Sequence, residues 1–168
     1  MHGALGHHLQ RLLAYHGWAY AQLLKALAEV PEAQYRAPCG LFFDSIHGTL
    51  NHLAVVDRIW LARVRGETAP FTRLDVEAVS ARAAFESFLE TGVAAWRDLL
   101  DGYEDAELLR PIIYSNMAGE SFQRPLLDIV THLVNHGSHH RGQITAALTA
   151  QGQPAPKLDY IYALPELP

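Results

Sequence analysis

Residues 125–151 read PLLDIVTHLVNHGSHHRGQITAALTAQ, and this stretch decides the fold. On a helical wheel of about 100° per residue with Leu126 as zero, Leu133, Ile144, Val130 and Leu148 fall within about 40° of one line. They form a single apolar stripe along a long helix. Pro125 suits its first position, and Gly152 and Pro154 end it near Gln151. A helix of this length with one apolar face needs partners of the same kind to cover it.

The flanking chain supplies them. Between about Gly3 and Val30, Leu5, Leu9, Leu12, Leu13, Leu23, Leu24 and Leu27 recur at helical spacing, and Pro31 stops this first helix. A loop punctuated by Pro38 and Gly40 follows. Asp44 or Ser45 can cap a second helix that runs to about Arg65, with Gly66 as its C-terminal stop. Residues 67–79 contain Pro70 and show no period, and read as a linker long enough to cross the end of a bundle. The third helix is expected from near Ser80 through Phe85, Phe88, Leu89, Trp96 and Leu99 to Gly102. Ile112, Ile113 and Tyr114, then Ser121, Phe122 and Gln123, flank Met117-Ala118-Gly119 in the pattern of a short β-hairpin. The tail from Lys157 to Pro168 reads as irregular or extended. The expectation is an all-α fold over residues 1–168: one domain, a four-helix bundle with a small β-hairpin before the fourth helix.

Composition narrows the function. The 168 residues suit one domain with a real core. The formal net charge of -5, with Arg58, Arg63, Arg65 and Arg141 scattered among acids, argues against nucleic-acid binding. A lone cysteine, Cys39, permits no internal disulfide, and its plain reading is a small apolar loop residue. The first apolar segment carries His7, His8, Gln10 and Arg11, unlike a secretory signal, and no apolar run is long enough for a membrane. A cytoplasmic location is expected by elimination.

Ten histidines remain to be explained. On the fourth helix the wheel puts His140 at about 320° and His136 at about 280°, both on the shoulder of the stripe. His139 falls at about 220°, outside it. An i, i+4 histidine pair on one inward face can bring two imidazoles to one metal. Such a pair can equally be solvated or bonded to a neighbouring helix. On the second helix, counted from Ile46, His52 lies at about 240°, at the edge of the buried face beside Val56 and Ile59. His47 lies at about 100°, away from that face. If these two helices are neighbours, His52 can complete a three-nitrogen site and His47 cannot. His132, one turn before His136, is a reserve: a fourth ligand, a hydrogen-bonding support, or a polar residue at the mouth. His2, His7, His8 and His16 on the first helix read as exposed or locally bonded. Asp57, at about 20° among apolar neighbours, needs a partner. Arg141 or another arginine is the favoured one, and support of a ligand histidine is the alternative. Trp18, Trp60 and Trp96 sit at core-like positions.

The run Asn135-His136-Gly137-Ser138-His139-His140-Arg141-Gly142-Gln143-Ile144 resembles the signature of the DinB/YfiT-like metalloenzymes, and so does Thr49-Leu50-Asn51-His52-Leu53. Tyr15-His16-Gly17-Trp18-Ala19-Tyr20 is similar to the family's Tyr-Asn-x-Trp-Ala-Asn element, with His16 and Tyr20 in place of both asparagines. The hairpin, the helix after it and the tail from Asp159 to Leu164 also follow the family pattern, so the resemblance covers nearly the whole chain. It implies a bundle of up-down-down-up order, usually a homodimer, with a metal at the positions matching His52, His136 and His140. It implies zinc or nickel as that metal. Some relatives use low-molecular-weight thiols such as bacillithiol or mycothiol in S-transferase or isomerase reactions.

Two functions are therefore expected to compete. One is a metal-dependent enzyme: three imidazoles leave open positions on a divalent metal, which activates a thiol or water in a thiol S-transferase-like or hydrolase-like reaction on a small molecule. His132 is then the candidate proton carrier. The other is a non-catalytic metal-binding stress-response protein. Structural zinc sites are usually closed by four ligands, often cysteines, and Cys39 lies far from the histidine motif, which favours the enzyme.

Overall fold

The protein was analysed as a computed structural model that describes residues 3–167. Its order is α1 (Ala4–Ala28), α2 (Glu32–Arg36), α3 (Ile46–Arg65), a 3₁₀ turn (Arg82–Ala84), α4 (Phe85–Leu100), α5 (Asp105–Leu108), β1 (Pro111–Ser115), β2 (Ser121–Pro125), α6 (Leu126–Ala150), α7 (Tyr160–Ala163) and a second 3₁₀ turn (Leu164–Glu166). The two strands pair antiparallel, with Ile113 opposite Gln123. The fold is thus mostly helical with one small hairpin. No helix among the described residues is long and apolar enough to cross a membrane.

Local chemistry sets most of the boundaries. Ser45, not Asp44, caps α3: its hydroxyl accepts from the Gly48 N–H at 3.0 Å. Gly66 closes the helix in the left-handed conformation at φ 70°. Several expectations need correction. Helix α4 begins at Phe85, not near Ser80, because Arg82–Ala84 turn as 3₁₀ first. Pro125 is the last residue of β2 and precedes α6, which it enters with φ -55° and ψ 144°. The tail is not irregular, since Tyr160–Ala163 form a helical turn. Helices α2 and α5 were hidden because five and four residues are too short to display a helical period.

Helices α1, α3, α4 and α6 each pack on two of the others: α1 on α4 and α6, α3 on α4 and α6. The apolar core falls in two parts. One gathers Tyr20, Leu23, Leu27, Leu50, Phe85, Ile144 and Leu148, and the other Leu9, Leu13, Trp96, Leu100, Leu126, Val130 and Leu133. The same helices also bury the polar residues His16, His52, Asp57, His140 and Arg141. Burying these groups is unfavourable unless each finds a partner. Their partners define the site.

Candidate metal centre

His52 on α3 and His136 and His140 on α6 converge, with one donor atom from each lying within 4.8 Å of the others. The facing helices α3 and α6 bring them together. Nε2 of His52 stands 3.3 Å from Nε2 of His136. Two nitrogens bound to one zinc at about 2.0–2.1 Å in tetrahedral geometry would be separated by about 3.3–3.4 Å. The His140 ring lies 4.5 Å from that of His136 and 4.6 Å from that of His52.

Hydrogen bonds at the far nitrogens orient two of the rings. The His52 Nδ1–H donates to the Leu74 carbonyl at 3.0 Å, and the His140 Nδ1–H donates to Gln143 Oε1 at 2.8 Å. Each neutral ring therefore presents an Nε2 lone pair toward the others, which is the tautomer a metal requires. Phe43 stacks on His52 at 3.8 Å and meets His140 edge-on at 5.7 Å, shielding the cluster from one side. Burial pushes the His52 imidazole down to about 4 and the His136 imidazole down to about 3, with like charge on the neighbouring histidines adding to the effect. His140 is also lowered, chiefly by burial. Three imidazoles held neutral and convergent are compatible with a divalent metal.

The wheel placed the remaining histidines unevenly. His139 is exposed and outside the cluster, as expected, with its Nε2 accepting from Gln143. His132 sits beside the cluster, 5.7 Å from the His136 ring and 5.3 Å from Trp60. Its ligand atoms do not join the three. His7 and His8 are exposed, and His2 lies outside the described residues. His47, placed away from the apolar stripe of α3, takes no part in the cluster, yet it is buried, bridging the Tyr35 hydroxyl at 3.1 Å and Glu77 at 2.6 Å. Helix α2 and the 67–79 linker cover a face of α3 that periodicity alone leaves open. Asn51 pins that linker by exchanging hydrogen bonds with Val79 N–H and C=O, which carries Leu74 over His52.

His16 is the largest departure. Instead of being exposed or locally bonded it is fully buried, linking α1 to both helices of the cluster. Arg141 Nη1 donates to His16 Nδ1 at 3.0 Å, so His16 Nε2–H donates to Asp57 Oδ2 at 3.3 Å. The Tyr20 hydroxyl donates to the same oxygen at 3.1 Å. The expected pairing of Asp57 with Arg141 is thus relayed through a neutral imidazole, and Asp57 supports no histidine of the cluster directly. Burial lowers the pKa of His16 against the pull of Asp57, keeping it the neutral link. His16 and Tyr20, the two departures from the Tyr-Asn-x-Trp-Ala-Asn element, are the residues that satisfy Asp57.

Gly137 makes this relay possible. A Cβ there would overlap His16 Cε1 and stand 2.7 Å from Arg141 Nη1. Gly137→Ala should therefore destabilise the fold by about 1–3 kcal/mol, the usual range for overpacking. Urea unfolding checks this, and an unchanged midpoint would show that His16 and Arg141 yield at no cost.

A family model described as the DinB family matches residues 5–165. The chain belongs to the DinB family. It is 27% identical over 157 residues to Protein DinB of Bacillus subtilis (strain 168), an alignment covering 89% of this chain and 90% of the relative. Within this DinB-family chain, the supports missing from the sequence reading were Leu74, Gln143 and Phe43. Gln143 had a legible signal, since i, i+3 from His140 places it on the same side of α6. The Leu74 carbonyl had none.

Proposed function

We propose that this DinB-family protein is a metal-dependent enzyme that holds a divalent ion, zinc or nickel, on His52, His136 and His140. The observation that carries the reading is the convergence of three neutral imidazoles, two with Nε2 lone pairs fixed by hydrogen bonds behind them. Bound there, the ion would lower the pKa of a thiol or water, supplying a nucleophile at neutral pH for a thiol S-transferase-like or hydrolase-like reaction. A low-molecular-weight thiol is the proposed cosubstrate.

The protein's own residues then bind, orient and exclude water. Phe43 and Leu74 close one side of the cluster, and Gln143 and the Leu74 carbonyl fix two rings against rotation. His132 has one side open and the other against Trp60 and His136, and that partial burial lowers its pKa, so it is neutral at pH 7 and able to accept a proton. Among the described residues no fourth histidine, cysteine or carboxylate joins the cluster, which favours an open catalytic site over a closed structural one.

The bundle order belongs to the same proposal. Gly17 lies against Val93 and Gln10 bonds Arg97, so α1 and α4 run oppositely. His52 meets His136 while Trp60 meets His132, so α3 and α6 also run oppositely. Arg58 bonds Phe88 and His47 meets Phe85, which aligns α3 with α4. These contacts support a four-helix bundle of up-down-down-up order. We also propose a cytoplasmic homodimer. Sedimentation at micromolar concentration is expected to give the dimer mass, and a clean monomer would remove that part.

The test of the enzyme reading is metal analysis of protein purified without a histidine tag, then turnover of a model electrophile with a panel of small thiols. Stoichiometric zinc or nickel with thiol-dependent turnover is expected. Metal without turnover across thiols and hydrolysable esters would instead favour the non-catalytic stress-response role.

A further inference from the structure

Beside the cluster lies a cleft of about 300 Å³ lined by Trp60, Tyr114, Arg124, Asp128, Ile129 and His132, whose ring stands 5.7 Å from that of His136. His132 links the two. His132 is one helical turn, about 5.4 Å, from His136 along α6. Trp60, two turns beyond His52 on α3, meets the His132 ring at 5.3 Å. The cleft and the cluster are therefore two ends of one surface between α3 and α6.

Its walls and charges differ in kind. Trp60 and Tyr114 pack edge-on at 4.9 Å, and the Arg63 guanidinium lies 4.7 Å over Trp60 and 5.6 Å from Tyr114, bracing the two rings. These rings offer an apolar wall to a short carbon chain. At the rim stand one cation and one anion, Arg124 and Asp128, both exposed. They line the same cleft from different elements, Arg124 from β2 and Asp128 from the first turn of α6, and neither makes an ion pair with the other or with any described residue. The only side-chain hydrogen bond from Arg124 to a described residue goes to the Gln123 carbonyl beside it, and its guanidinium lies 6.0 Å from the Phe122 ring centre. Asp128 also complements the N-terminus of α6, but that role leaves its carboxylate free to accept another donor.

We infer that this cleft is the subsite for the α-amino-acid end of the substrate: its carboxylate on Arg124, its ammonium on Asp128 and its carbon chain along Trp60 and Tyr114. The inference rests on the proposed metal site, which takes the reacting end of the same molecule. An anion alone would be repelled by Asp128 and a cation alone by Arg124, whereas a zwitterion satisfies both. The spacing along α6 selects a substrate in which several bonds separate the amino-acid group from the metal-binding group.

Hydroxamic acids test this, since a hydroxamate is a metal-binding head to which different tails can be attached. Zinc-loaded protein would be titrated calorimetrically with L-glutamate γ-monohydroxamate, its homologue with one more methylene, glutaric monohydroxamate, and butyrohydroxamic acid. The better of the two amino-acid probes is expected to bind about tenfold tighter than butyrohydroxamic acid, the gain of one charge-assisted pairing near the surface. That ratio should fall toward one in Arg124→Gln and in Asp128→Asn, and should persist in Lys25→Gln, which removes an exposed cation in the last turn of α1. A ratio near one in the unaltered protein, or a ratio indifferent to both substitutions, would overturn the subsite while leaving the metal site standing. Glutaric monohydroxamate binding as tightly as the amino-acid probes would overturn the role of Asp128. Absence of zinc uptake in equilibrium dialysis would instead remove the metal reading, and this subsite with it.

Discussion

His140→Ala should weaken metal binding by on the order of a thousandfold, while His139→Ala leaves it nearly intact. Structural zinc in small peptides is held by an apparent energy of about 10–16 kcal/mol in total, so losing one of a few protein ligands removes several kcal/mol. The adjacent histidines differ in what they face. His140 is 7% exposed, with its Nδ1–H given to Gln143 and its other nitrogen turned to His52 and His136. His139 is exposed and its Nε2 already accepts from the Gln143 amide. His52→Ala and His136→Ala should match His140→Ala. Gln143→Leu should fall between, weakening binding by about 10–100-fold, because it frees the His140 ring without removing the ligand. Equilibrium dialysis with zinc or nickel reads all five variants. Equal losses from the two neighbours would show that α6 presents the wrong face in this structure.

Acid should destabilise the metal-free protein between about pH 6.5 and pH 4. In the unfolded chain the histidines take up protons near about 6.5. In the fold, His52 holds off its proton to about 4 and His136 to about 3, and His140 and His16 are lowered as well. A base whose folded pKa is depressed favours the unfolded state progressively as pH drops below the unfolded value. The loss levels off below the folded value. For His52, 3% exposed, it amounts to about 3 kcal/mol by pH 4. His136 adds less than its larger shift implies, because it is only half-buried and water screens it.

Depressed pKa values have a second consequence. Three imidazoles with the ordinary pKa of about 6.5 would lose a metal to protons just below that pH. In the fold, competition is postponed. Affinity of the folded site should begin to fall at a lower pH than it would for free imidazoles, and then fall more steeply than a one-proton titration. Direct binding measured between pH 3 and 8, with urea melts of the metal-free protein alongside, tests both halves. Metal-free stability that is flat from pH 7 to 4 would show the buried imidazoles are not held neutral. Affinity that already falls steeply between pH 7 and 6 would show that the fold does not depress the ligand imidazoles.

The sequence alone determined the long helices and which face of each is buried. Leu126, Val130, Leu133, Ile144 and Leu148 repeat at helical spacing, and all five are buried. The same periodicity separated His136 and His140 from His139, because whether two side chains share a face depends only on their separation along one helix. The short helices α2 and α5 and the turn of helix in the tail stayed hidden, since they span too few residues to show a period. Tertiary structure decided what lies across from each face. It buried His47 under α2 and the linker, although its own helix pointed it outward. It set His16 between Asp57 and Arg141, from residues 41 and 125 positions away. It also placed the Leu74 carbonyl behind His52, a backbone group that no residue type announces. Such choices depend on which segments meet, and burial forces them: each polar group taken from water must find a partner among whatever elements the fold brings near. Periodicity along one helix carries no record of that.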